Sequence, residues 1–155
     1  MALGETPVTL VGTVYTEPES RRVGERGHEL VSFWLRSNER RFDKEREEWV
    51  DGRYLTVRVK CWRRLAAGVQ ASLRKGDPVI VTGRLYTSSY EESGETRAIP
   101  EVEAWAVGPN LTLCVAPAQR TRPAPGIEGG GDTWQASEPS SRNPLVERAE
   151  PLPVG

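Results

Sequence analysis

Two cysteines, one histidine and three lysines in 155 residues are scarcities that each close a chemical route. Cys61 and Cys114 lie far apart without CxxC spacing, so they frame neither a disulfide scaffold nor a zinc site. His28 stands alone, so no metal-ligand cluster forms and no cofactor is expected. Ser32 and Ser37 near it define no nucleophile with a base, and an enzyme is not expected. No stretch approaches the roughly twenty apolar residues of a membrane span. The start Met1-Ala2-Leu3-Gly4-Glu5 lacks a basic region followed by an apolar run, so a cytoplasmic protein without a membrane partner is expected. The basic excess usual for binders of polyanions is missing too: net charge is -1, although a near-neutral total can conceal a basic groove. Lysine is so rare that 18 of the 21 cations are arginine, a planar donor that stacks and forks to phosphate, though GC-rich codons would produce the same bias.

What is present is a strand of two chemically different rows. In Tyr54 to Trp62 successive side chains turn to opposite faces, so Leu55, Val57, Val59 and Cys61 form an apolar row. Tyr54, Thr56, Arg58, Lys60 and Trp62 form the other. Two cations between two aromatics suit single-stranded nucleic acid, because cations follow phosphates while rings stack on bases at about 1–3 kcal/mol each. A half-buried strand with a merely solubilising outer face is the plain alternative. Recurrence favours the first reading. Near Glu29 to Ser37, Phe33 and Leu35 point inward while Trp34 and Arg36 point outward. From Val79 to Tyr86, Arg84 and Tyr86 join the outer row and Val79, Val81, Gly83 and Leu85 the inner one.

The other elements follow from spacing. Val8, Leu10, Gly12 and Val14 alternate with Thr9, Val11, Thr13 and Tyr15 in a first strand, and Gly12 suggests a bend that lets a sheet curl. Asn38 to Glu48, with charges of both signs and Phe42, is expected to be a mobile loop, and Asp51-Gly52 a turn. Leu65, Val69 and Leu73 recur every four residues and predict one amphipathic helix from Arg63 to Lys75, closed by Gly76. Tyr90 is expected at a loop tip. The closing strand, about Arg97 to Val107, places Val102, Ala104 and Ala106 on one side and Glu101, Glu103 and Trp105 on the other. Five strands with a helix between the third and fourth predict an all-β oligonucleotide/oligosaccharide-binding (OB) fold, a Greek-key barrel, over residues 1–116. From Pro117 onward prolines, glycines and serines replace periodic apolar residues, so a disordered tail is expected over 117–155.

At this point the chain resembles the bacterial single-stranded DNA-binding protein family. The resemblance rests on Leu10-Val11-Gly12, Trp49-Val50-Asp51-Gly52, Cys61-Trp62-Arg63-Arg64-Leu65-Ala66, the run Leu73-Arg74-Lys75-Gly76-Asp77-Pro78-Val79-Ile80-Val81-Thr82-Gly83-Arg84-Leu85, and Glu101-Val102 through Gly108-Pro109-Asn110-Leu111. It implies a non-catalytic OB-fold protein, usually a homotetramer, that wraps single-stranded DNA. A cytoplasmic, nucleoid-associated location follows from the same resemblance. Of the family's stacking aromatics, one falls where this chain has Thr56, with Tyr54 on the same face as a substitute. Trp62, Tyr90 and, approximately, Phe42 match three others.

The DNA-contacting set is therefore Trp34, Arg36, Phe42, Tyr54, Arg58, Lys60, Trp62, Arg84, Tyr86 and Tyr90. Trp62 has a second reading as a barrel plug, and Trp49 as a brace for the Asp51-Gly52 turn. Family members that recruit other proteins end in an acidic tip with a Pro-Phe pair, whereas this sequence closes Glu150-Pro151-Leu152-Pro153-Val154-Gly155. Its last 39 residues hold five acids and four bases, so tail-mediated partners are doubtful and a paralogue is suggested. A primosomal-type interaction barrel that binds DNA weakly is the alternative.

Overall fold

A computed structural model describes residues 2–122 of the chain. Its elements are β1 (Thr6–Val14), β2 (Glu19–Val23), β3 (His28–Asp43), β4 (Glu48–Trp62), α1 (Arg63–Ser72), β5 (Pro78–Glu92) and β6 (Glu95–Pro109). The sheet order is β1-β5-β6-β4-β3-β2, and a further pairing of β1 with β3 closes five strands into a barrel. The expected OB-type architecture is present, with its helix following the strand that ends at Trp62. Among the described residues no helix is long and apolar enough to cross a membrane.

Strand count is the first correction, six where five were expected. β2 pairs along β3 from Val23↔His28 to Glu19↔Ser32, then yields that edge of β3 to β1, which meets it at Thr13↔Arg36 and Val14↔Leu35. Four of its five residues are exposed. A strand with so little to bury leaves no alternation to read.

Closure depends on Gly12. A Cβ there would collide with the Arg36 carbonyl oxygen and press on the Leu35 side chain, so only glycine lets β1 cross β3 at this distance. The sequence suggests a bend at this residue; the structure uses it for a close crossing, with β1 paired to β5 without a register shift. Inside, Val14, Val31, Phe33, Leu35, Val57, Val59, Cys61, Val79, Val81 and Val102 are buried, and Ala66, Val69 and Leu73 join them from the helical side. The helix is shorter than expected. It stops at Ser72, and Leu73 is extended, its N–H still donating to the Val69 carbonyl. Gly76 belongs to the following turn, where φ is +96° and its N–H donates to the Val14 carbonyl at 2.7 Å.

The stretch expected as a mobile loop is instead an antiparallel arm. β3 continues to Asp43 and β4 starts at Glu48, with Arg40↔Asp51, Arg41↔Val50 and Phe42↔Trp49 in register. Asp51 and Gly52 lie inside a strand, and the reversal occurs at residues 44–47, with Glu47 at a φ of 53°. A second arm pairs the ends of β5 and β6, so Tyr90 sits opposite Arg97 on a strand while Ser93 and Gly94 make the turn. Both arms reach past the residues that fill the barrel. With water on both sides, they carry no one-sided apolar pattern.

Two inward assignments also change. Leu55 is 43% exposed, because the apolar row of β4 meets the core only from Val57 onward. A bulge between Thr82 and Gly83 sets Thr82 opposite Ala106 and Gly83 opposite Ala104. Trp105 is the extra residue, Ala106 becomes exposed, and Val107 packs on the core instead. The expected tail lies, from residue 123 on, outside the described residues.

Candidate nucleic-acid interface

Strand register builds the outer face as two rows, one across four strands and one across five. In the first, Tyr86 of β5 is opposite Glu101 of β6, Glu101 opposite Arg58 of β4, and Arg58 opposite Trp34 of β3. The second row sets Arg84 opposite Glu103, Glu103 opposite Lys60, Lys60 opposite Ser32, and Ser32 opposite Glu19 of β2. Seven of the ten sequence-selected residues share this face: Trp34, Arg36, Tyr54, Arg58, Lys60, Arg84 and Tyr86.

The rows also bring in a column of acid that sequence reasoning did not treat as part of the site. Glu101, expected on the side of its strand opposite Val102 and Ala104, has 0% exposure, because its neighbours close over it. Arg58 donates from Nε to Glu101 Oε1 at 2.9 Å and from Nη2 to the same oxygen. Tyr86 donates its hydroxyl to Oε2 at 3.0 Å, and Lys60 Nζ lies 3.2 Å from Oε2. Burial alone would raise the Glu101 carboxyl, but the hydrogen bonds from Arg58, Lys60 and Tyr86 prevail and hold it below the usual carboxylate range. The reciprocal effect falls on Tyr86, whose phenol burial and the bond to Glu101 push up to about 12. Arg84 bridges Glu103 at 2.9 Å and Glu5 at 3.1 Å, and the hydrogen bond with Glu103 leads the causes that raise its pKa further.

Arg36 is held differently. Its guanidinium carbon lies 4.1 Å from the Tyr54 ring centroid and 5.1 Å from that of Tyr15, and Nη1 reaches the Tyr15 hydroxyl at 3.3 Å. No carboxylate pairs with it among the described residues. A cation between two rings gains quadrupole attraction from each while its charge stays uncompensated. Tyr54, which shares this face with Thr56, is 64% exposed. Tyr15 was readable as outward from the β1 alternation, but nothing in one strand shows that β1 ends beside β3. Trp34, half-buried, has the Arg58 guanidinium 6.0 Å from its ring centroid. Beside them a shallow groove of about 220 Å³ is lined by Thr16, Glu19, Ser32, Phe33, Trp34 and Arg58.

The remaining aromatics are dispersed. Phe42 packs edge-to-face on Trp49, with centroids 5.7 Å apart, near the end of the first arm. Trp49 braces this arm and not an Asp51-Gly52 turn. Tyr90 is exposed on the second arm, and Trp62 is half-buried where β4 enters α1. Trp62 is therefore neither a fully buried plug nor a free platform.

Residues 6–109 match the single-strand binding protein family. A single-stranded DNA-binding protein of Corynebacterium glutamicum is 44% identical over 122 residues, covering 78% of this chain and 54% of that one, so this chain spans about half of that relative. The Mycobacterium leprae single-stranded DNA-binding protein is 36% identical over 166 residues, covering 96% and 98% of the two chains. Among solved structures, the small single-stranded DNA-binding protein from Streptomyces coelicolor superposes with a TM-score of 0.65 at 33% identity, covering 72% of this chain and all of that one. The second such protein from Mycobacterium smegmatis gives 0.60 at 42% identity, covering 75% and 99%. A barrel of this order, a face of rings and guanidinium groups, and a match from the first strand to the last make the chain a member of the single-strand binding protein family.

Proposed function

We propose that the protein binds single-stranded DNA without strong sequence preference, protecting it during replication, recombination, repair or chromosome segregation. The observation that carries this reading is the placement of Trp34, Arg36 and Tyr54 on one face, with ring surface exposed beside a cation that no carboxylate pairs among the described residues. Rings of this kind stack on any base, and Arg36 supplies an uncompensated positive charge for the phosphates. Binding is assigned to residues 1–116, with Arg58, Lys60, Trp62, Arg84, Tyr86, Phe42 and Tyr90 as further contacts. The role is one of binding and not of turnover. Names of the relatives support the reading, and the primosomal-type alternative is not favoured.

Assembly as a homotetramer in the cytoplasm, associated with the nucleoid, belongs to the same proposal. Its support is an exposed apolar pair, Val11 and Ile80, which face each other across β1 and β5.

Titration with oligo(dT) tests the function directly. Tryptophan fluorescence should quench on binding, and Trp34→Ala should weaken affinity by about 1–3 kcal/mol for each stacked base lost. Absence of quenching and of any mobility shift at low salt would overturn it.

A further inference from the structure

The cations on the floor of this face are already spoken for. Arg58, Lys60 and Arg84 contribute three positive charges, and the carboxylates that contact them, Glu101, Glu103 and Glu5, contribute three negative ones. The pairing is built into the register, because Glu101 and Glu103 of β6 lie between β4 on one side and β5 on the other. Glu101 cannot turn away to water, since it is fully buried and both of its oxygens are engaged. Its partners remain partly open: the Arg58 and Lys60 side chains are 31% and 21% exposed and line a groove of about 150 Å³ with Ser32 and Arg21.

We infer that Glu101, with Glu103 beside it, is an internal competitor for phosphate that positions Arg58, Lys60 and Arg84 while cancelling their charge. The inference rests on the proposed binding of single-stranded DNA. A phosphate entering the groove meets donors left over from the carboxylate, namely Arg58 Nη1 and the remaining protons of the Lys60 ammonium group. It gains hydrogen bonds there but little ion release, because a cation that is already compensated replaces few of the counterions around DNA. Stacking on Trp34 and Tyr54 then supplies most of the affinity, and cations without carboxylates, such as Arg36, set the response to salt.

Glu101→Gln tests this, because the amide keeps the shape and one acceptor oxygen while removing the charge. Oligo(dT) titrations of the full-length protein across about 50–200 mM salt should show a plot of log affinity against log salt steeper than wild type by ~0.7, one phosphate on a single strand. The ratio of variant to wild-type affinity should therefore grow about threefold from the high-salt to the low-salt end. Glu103→Gln, on the more exposed half of the floor, should steepen the slope in the same direction and serves if the buried substitution prevents folding. A merely structural Glu101 would give weaker binding at every salt concentration with an unchanged slope. Equal slopes for wild type and both variants overturn the inference while leaving the binding proposal intact. Failure of the wild type to bind oligo(dT) overturns both.

Discussion

A carboxylate with no exposure to water persists only if its lone pairs are filled, and Glu101 fills them with donors from Arg58, Lys60 and Tyr86. Because those donors hold its folded-state pKa below the unfolded value of about 4.3, its contribution to stability is fully present above that pH. It is lost as pH falls through the lower folded-state value. Thermal denaturation followed from pH 6 to pH 3 should therefore show a falling midpoint below about pH 4.3, with a shallower fall in Glu101→Gln, which has no proton to take up there. Cys61 contrasts with it as a buried group with no such role. Burial pushes its thiol up to about 12, so at neutral pH it behaves as a small apolar side chain.

At the level of elements, legibility followed how one-sided the environment is. From Val57 to Trp62 one face is buried and the other is not, and the two rows appear in the sequence as they do in the fold. The same strand loses its pattern before Val57, because the arm it shares with β3 stands in water on both sides. For β2, exposed almost throughout, there was no pattern to find. Glu101 was hidden for another reason: alternation gives the side of a strand a residue occupies, and only the β4–β6 pairing reveals that Arg58 and Lys60 cover that side. The junction of β4 and α1 yields a further prediction. Arg63, the first residue of α1, has a φ of 57°, in the left-handed region that a Cβ disfavours. Arg63→Gly should stabilise the fold by about 1 kcal/mol in urea denaturation, with the unfolded chain's extra freedom offsetting part of the relieved strain.

For the molecule as a whole, β1 is the strand with most to offer a second copy. It pairs with β5 along its length but forms ladder pairs with β3 only at Thr13 and Val14, so the rest of that edge has no strand partner among the described residues. Val11, 51% exposed, and Ile80 add apolar surface on the same two strands. Native mass measurement should give four times the 17.2 kDa chain, and Ile80→Glu should reduce the assembly mass without unfolding the barrel, since Ile80 is exposed in a single chain. The balanced floor bears on how a polynucleotide first arrives. Opposite charges set side by side produce a field that fades faster than that of one lone charge, so a distant polyanion is drawn in only feebly. On the proposed binding role, the floor itself lends the encounter little guidance, and long-range attraction falls to cations without carboxylates such as Arg36.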